Sequence, residues 1–227
     1  MKTGFKILLG IAAVFGIGAL VNKKEQLPEP DKNPKLPTGD KSKQGLSSIL
    51  FVGDSNTFYP WSYADQFIAN FPKVRSKKLA KIGVKTDWML TELKKELAKN
   101  KYDVVCILGG SNDIYGGSTV EKAKSNLASM FTLVNKSGGW AIGITPPSKK
   151  YFTRRKANLD EMLFTLWDWY WSGWAFKNTG LGRWIDFIEI TSDKKYFSWK
   201  DGYLHPQKEA HTILLNKLLG FLKTRFK

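Results

Sequence analysis

A serine, an asparagine and a histidine in three short polar motifs are the residues of this sequence best suited to covalent chemistry. Ser55 lies in the motif GDS, Asn112 in GSND and His205 in DGYLHP. A serine hydroxyl is a poor nucleophile until a histidine takes its proton. The oxyanion that forms when serine attacks a carbonyl needs preorganised hydrogen-bond donors, and an asparagine amide is one such donor. The three residue types therefore predict an acyl-transfer site.

Apolar runs precede these motifs and indicate the elements that must position them. The predicted strands cover 48–52, 79–82, 103–108, 140–144 and 184–190, and the predicted helices cover 61–69, 87–99, 120–135, 158–174 and 207–222. Alternating strands and helices predict a parallel sheet that is covered on both faces. Functional residues of such sheets gather at the carboxyl ends of the strands. We therefore expect the three motifs, after strands one, three and five, to meet at one edge.

With these motifs in this order, the sequence resembles the SGNH (GDSL-like) hydrolase family from residue 47 to the C-terminal helix. The family's blocks are matched by FVGDSNT, KIGVKT, GSND and DGYLHP. The resemblance implies a flavodoxin-like three-layer α/β/α sandwich with a parallel five-stranded sheet over residues 47–227. It also implies a serine ester hydrolase that requires no cofactor and no metal.

The resemblance assigns a role to each matched residue. Ser55 would be the nucleophile, His205 its base, and Asp201 the acid that orients the histidine. The backbone N–H groups of Ser55 and Gly83 and the side-chain amide of Asn112 would form the oxyanion hole.

One departure from the family pattern affects the acid. The family places it three residues before the histidine, whereas Asp201 lies four residues before His205. Two arrangements are open: the loop bulges and the carboxylate still reaches Nδ1, or another group orients the imidazole, as a backbone carbonyl can partly do.

Four further residues are candidates for substrate binding. They are Asp54, Asp113, Trp171 and Trp174. The alternative for the two carboxylates is that they brace the turns beside the site through local hydrogen bonds. The tryptophans belong to the run LWDWYWSGWAF, which predicts a buried helix, an aromatic platform for sugar rings, or an edge that dips into a membrane. His211 is interpreted as a packed or surface helix residue rather than a metal ligand.

The N-terminal segment has a different composition. Residues 7–21 carry no charge and are flanked by lysines, so 1–21 is a membrane anchor or a cleaved signal segment. Residues 22–46 are rich in proline and lysine and predict a semi-rigid linker. This layout predicts a membrane-anchored protein, extracytoplasmic or on an envelope or virion surface, or a secreted one if the segment is cleaved.

Composition limits the partners. The net charge of +16 attracts polyanions, whereas no zinc-finger spacing or RNA-binding aromatic signature argues for nucleic acid. The single cysteine excludes an internal disulfide framework. We expect an O-acetylated surface glycan or a similar acylated carbohydrate as substrate, with a lipid or phospholipid ester second. An inactive SGNH-fold binding or structural module is the alternative outside the enzyme class.

Overall fold

The protein is described by a computed structural model covering residues 45–148, 150, 159–171, 183–202 and 204–226. The predicted anchor, nearly all of the predicted linker, and Trp174 lie outside the described residues. Among the residues that are described, no helix is both long enough and apolar enough to cross a membrane.

A five-stranded parallel sheet forms the centre of the fold, in the order β2-β1-β3-β4-β5. Its strands are β1 (Ser48–Gly53), β2 (Arg75–Ala80), β3 (Val104–Leu108), β4 (Trp140–Ile144) and β5 (Arg183–Ile185). The described helices are α1 (Ser55–Phe58), α2 (Tyr63–Asn70), α3 (Thr86–Leu97), α4 (Ser111–Tyr115), α5 (Val120–Lys136), α6 (Leu159–Trp171), α7 (Phe187–Ile190) and α8 (Lys208–Arg225). The predicted parallel sheet with flanking helices is confirmed.

Helices cover both faces of the sheet because successive side chains of a strand point to opposite sides. In β1, Leu50 and Val52 join a core cluster with α3, α5 and α6. Ile49 and Phe51 join a second cluster with α2, α7 and α8. Every residue of β1, β3 and β4 is buried, which explains why these strands are continuous apolar runs in the sequence.

The second strand lies earlier in the chain than predicted. It covers Arg75–Ala80, whereas the apolar run had indicated 79–82, and Ile82 is 51% exposed. As an edge strand, β2 pairs only with β1, and its first residues alternate between exposed and half-buried. Charged residues are well suited to such an edge, so hydrophobicity alone could not locate this strand.

The fifth strand is shorter than predicted, and the residues assigned to its second half form α7. Asp186 caps α7 by accepting a hydrogen bond from the backbone N–H of Glu189. The buried Thr145 hydroxyl accepts bonds from the N–H groups of Phe187 at 2.7 Å and Ile188 at 3.1 Å. These contacts satisfy the first amides of the helix, which have no intrahelical partner. The strand prediction over 184–190 was therefore wrong after Ile185.

Replacing Thr145 with valine tests this account of the turn from β5 into α7. The change keeps the shape of the side chain but removes the acceptor of two backbone N–H groups. We expect Thr145→Val to lower the free energy of unfolding by about 1–3 kcal/mol in urea denaturation followed by circular dichroism. Thr145→Ser retains the hydroxyl and is the control. Equal stability of both variants would contradict the role of the hydroxyl.

Candidate active site

The turn between β1 and α1 presents Ser55 at the carboxyl edge of the sheet. Asp54 ends the extended backbone and accepts a bond from the N–H of Asn56 at 2.9 Å, so that Ser55 is the first residue of α1. A Cβ at Gly53 would overlap the side chain of Thr57. The turn is therefore tight enough to require glycine at this point. Ser55 is 6% exposed.

A chain of hydrogen bonds connects Ser55, His205 and Asp201. His205 Nε2 lies 3.0 Å from Ser55 Oγ, and His205 Nδ1 lies 3.1 Å from Asp201 Oδ2. Asp201 ends a short 3-10 helix, after which Gly202 has φ +69°. The carboxylate also accepts bonds from the backbone N–H groups of Leu204 at 3.2 Å and His205 at 3.1 Å. The loop thus accommodates the extra residue in a turn around the carboxylate. Of the two arrangements that the sequence left undecided, the structure has the one in which the loop bulges and Asp201 reaches His205 Nδ1.

Contacts at the base of this loop fix its position. Phe197 and Pro206 form an isolated antiparallel bridge across it. The N–H of Gln207 donates to the carbonyl of Tyr196 at 2.6 Å, immediately before α8 begins. The loop that carries His205 is therefore anchored at its base by contacts of its two ends, in addition to the hydrogen bonds of the His205 and Asp201 side chains.

Asn112 joins the loops that follow β1 and β2. Its Nδ2 donates to the carbonyl oxygen of Val84 at 3.0 Å and to Asp54 Oδ2 at 3.4 Å. Val84 directly follows Gly83, which has φ +74° and is exposed in the loop after β2. The asparagine therefore connects the segment that contains Gly83 with the turn that contains the serine.

The carboxylates of Asp54 and Asp113 are each in residues only 1% exposed. Asp113 accepts bonds from the Thr86 N–H at 2.9 Å and the Thr86 hydroxyl at 2.6 Å, and that hydroxyl also accepts from Asn126 Nδ2 at 2.9 Å. Burial raises the pKa of Asp113, and the Thr86 hydrogen bonds oppose that rise. These contacts match the bracing alternative, and they give no support to a substrate-binding role for either carboxylate.

The two tryptophans predicted to bind substrate lie at the end of the described part of α6 and beyond it. Trp171 is the last residue of α6, and Trp174 lies outside the described residues. Their role stays a prediction.

An aromatic row that sequence reasoning missed lies beside the histidine. The Tyr59 ring meets the His205 ring edge-on, with centroids 4.9 Å apart, and lies parallel to the Trp61 ring at 4.6 Å. Phe58 is adjacent, with its centroid 6.2 Å from that of Tyr59. The run FYPW directly after the serine motif is the sequence signal for this row, but composition alone does not distinguish it from the richer tryptophan run downstream.

His211 is a second histidine near the site and is packed inside the protein. It is 1% exposed, and its ring lies 5.3 Å from that of Phe187 and 6.4 Å from that of Tyr63. Burial, and secondarily the charge of His205, lower the pKa of His211 to about 3. Within the described ranges, no group of three or more His, Cys, Asp or Glu side chains could hold a metal ion.

Comparison with known proteins shows a shared fold. No protein-family model matches the chain, and no curated protein matches it by sequence. A lipolytic protein of the G-D-S-L family from Veillonella parvula is 17% identical, with a TM-score of 0.63 over 77% of this chain and 97% of that one. A lipase/acylhydrolase from Enterococcus faecalis is 23% identical, with a TM-score of 0.63 over 80% and 98%. A psychrotrophic esterase from a Pseudoalteromonas species is 17% identical, with a TM-score of 0.58 over 78% and 97%. The fold implied by the SGNH resemblance is therefore confirmed.

The buried His211 predicts a specific loss of stability in acid. Its pKa is about 3 in the folded protein and near 6.5 in the unfolded chain, so between these values the unfolded state binds a proton that the folded state does not. The free energy of unfolding should therefore decrease as the pH is lowered across this window, by up to about 1.4 kcal/mol per pH unit from this group. In urea denaturation, the free energy of unfolding should decrease less between pH 7 and pH 5 for His211→Leu than for the parent protein. An identical decrease in His211→Leu and in the parent protein would contradict the assignment.

Proposed function

We propose that the protein is a serine carboxylic-ester hydrolase that forms an acyl-enzyme on Ser55. The observation that carries this proposal is the continuous hydrogen-bonded chain from Asp201 through His205 to Ser55 Oγ, with spacings of 3.1 and 3.0 Å. A nucleophile within hydrogen-bond reach of a base that is itself oriented by a third group is the arrangement that nucleophilic catalysis requires.

The reaction begins when His205 Nε2 takes the proton of Ser55 as Oγ attacks the ester carbonyl. Asp201 holds the other proton on Nδ1, which leaves Nε2 as the acceptor and stabilises the imidazolium that forms. The imidazolium then gives its proton to the departing alcohol, leaving the acyl group on Ser55. His205 next takes a proton from water as the water oxygen attacks the acyl carbon. The imidazolium then returns this proton to Ser55 Oγ as the bond between Oγ and the acyl carbon breaks, which releases the carboxylic acid and restores the serine hydroxyl.

The tetrahedral oxyanion is stabilised by the backbone N–H groups of Ser55 and Gly83 and by the amide of Asn112. Of the two hydrogen bonds that Asn112 donates, the one to Asp54 Oδ2 is long, at 3.4 Å. We propose that this N–H turns to the oxyanion, while the 3.0 Å bond to Val84 keeps the amide in place. Catalytic hydrogen bonds often become short only when the reacting group is bound.

We further propose that the ester is an O-acetyl or similar acyl group on a surface glycan. Aromatic rings beside His205 and a net charge of +16 support a carbohydrate, particularly an anionic one. The uncharged run 7–21 between lysines supports tethering to a membrane, with the active domain on an extracytoplasmic, envelope or virion surface.

Hydrolysis of p-nitrophenyl acetate by the full-length protein tests the proposed class of enzyme. We expect Ser55→Ala to lower kcat by at least about 10⁴-fold because the nucleophile is lost. Ser129→Ala, in an exposed serine of α5, is the matched control and should keep the parent rate. If the parent protein is no faster than Ser55→Ala on this ester and on acetylated glycans, the protein is a binding module with this fold.

Asp201→Asn tests whether the acid acts at its four-residue spacing. The variant keeps a side chain of the same size but no longer fixes the imidazole tautomer, so we expect kcat to fall by roughly 10²–10⁴-fold. The melting temperature is measured in parallel, because the carboxylate also accepts two backbone N–H groups of the loop. A correctly folded Asp201→Asn with the parent kcat would show that another group orients His205.

A further inference from the structure

The large apolar side chains that are exposed in the described part of the chain gather around the proposed site. They are Phe58, Ile82, Tyr115 and Trp199, with exposures of 41%, 51%, 37% and 73%. Each lies within three residues of a proposed catalytic or oxyanion-hole residue. Exposed apolar groups that gather in one region mark a surface that contacts a ligand or partner. The mouth of the site is thus adapted to a partner larger than a small ester.

Three of the aromatic side chains near this mouth form a row on the histidine side, here called the aromatic shelf: Phe58, Tyr59 and Trp61. The Tyr59 ring lies 4.9 Å from His205 at an interplanar angle of 77°, and its plane is within 4° of that of Trp61. Trp199 is two residues from Asp201, on the same turn as the acid that contacts His205. Aromatic side chains therefore come from both chain segments that flank the imidazole.

The proposed reaction determines which part of the substrate meets this shelf. His205 Nε2 must lie within hydrogen-bond distance of the departing alcohol oxygen when it gives up its proton. The alcohol therefore leaves from the histidine side of the serine and extends over the rings that flank the imidazole. Two of the three proposed oxyanion-hole donors, the Gly83 N–H and the Asn112 amide, are in other segments, the loop after β2 and α4, and contact the carbonyl oxygen instead.

We propose that the aromatic shelf, together with Trp199, is a subsite for a sugar ring of the polysaccharide alcohol, which rests on the proposed ester-hydrolase function. Tyrosine and tryptophan offer flat apolar faces together with polar edges, as a pyranose ring requires. Lysines stand next to these residues: Lys200 follows Trp199, and Lys78 Nζ lies 5.7 Å from the centroid of the Phe58 ring. An acyl chain is bound best in an enclosed apolar channel, whereas this shelf is open and has cations beside it, so a glycan is favoured over a lipid.

Binding without turnover tests the subsite independently of catalysis. The full-length Ser55→Ala protein is run in affinity electrophoresis through gels that contain O-acetylated xylan, glucomannan or alginate. We expect retardation by at least one of these polymers, and about a tenfold weaker interaction after adding Trp61→Ala or Trp199→Ala. Trp199 is 73% exposed, so its removal leaves the fold intact. Because Ser55 is already absent, this result holds whether or not the protein is an esterase.

Phe221→Ala is the matched control. Phe221 is a half-buried aromatic residue of α8, and the guanidinium of Arg183, the first residue of β5, lies 5.9 Å from its ring. It is therefore at the amino end of the strands, away from the serine, and its loss should leave retardation unchanged.

Turnover supplies the second measurement. In the background with Ser55 intact, the ratio of kcat/KM for the retarding acetylated polymer to kcat/KM for ethyl acetate should fall about tenfold in Trp61→Ala and Trp199→Ala, mainly through KM. No retardation by any polymer, or retardation that the two shelf variants do not weaken, would overturn the subsite. Binding to phosphatidylglycerol vesicles that Trp61→Ala and Trp199→Ala abolish, without any glycan binding, would also overturn it in favour of a lipid surface.

Discussion

The segments that follow β1, β2 and β3 are held together by hydrogen bonds of two side chains: Asn112 donates to Asp54 and to the Val84 carbonyl, and Asp113 accepts from Thr86. The two carboxylates are almost fully buried, and burying a charged group is costly unless hydrogen bonds compensate. Asn56 supplies donors to Asp54 from within the same turn, and further donors come from neighbouring segments: Thr86 gives two bonds to Asp113, and Asn112 gives one to Asp54. The serine motif, the Gly83 segment and the asparagine motif consequently form one unit at the edge of the sheet. The proposed oxyanion hole depends on this unit more than on any single donor.

The fourth part of the site is built differently. The loop with His205 and Asp201 is joined to the rest of the protein by its end contacts and by the bond between imidazole and serine. Its acid is more exposed than the carboxylates of the other loops, with 34% of the Asp201 side chain accessible. The site therefore combines a rigid, buried half that would bind the carbonyl oxygen with a more open half that would move protons.

Particular residues show why some of the fold followed from the sequence and some did not. The strands of the sheet centre, such as Trp140–Ile144, are continuous apolar runs and were located because burial on both faces imposes that composition. The edge strand β2 has the sequence RSKKLA, whose first four residues are all polar or charged, so no buried pattern identifies it. The end of β5 is determined by Thr145, a residue about forty positions earlier, whose hydroxyl turns the chain into a helix. A contact of that kind depends on the folded arrangement and leaves no local signal.

Some residues of the site could likewise be predicted from the sequence, and others could not. The motifs predicted Ser55, Asn112 and His205 at one edge of the sheet because strand ends meet there, and the structure brings these segments together. Whether a ring such as Tyr59 faces the imidazole or the core depends on packing, so the shelf could not be separated from other aromatic runs by composition.

The turn at Gly202 also bears on how such proteins are recognised and altered. What the histidine requires is a carboxylate oxygen at Nδ1, and the left-handed residue at Gly202 delivers it with one more residue between acid and base than the family pattern allows. A search pattern with a fixed gap between these two residues would pass over chains that have the same constellation in space. Deleting Gly202 to restore the usual gap would remove the bend that brings the carboxylate back to the ring, so the two loop lengths are separate structural solutions rather than versions to be exchanged residue by residue.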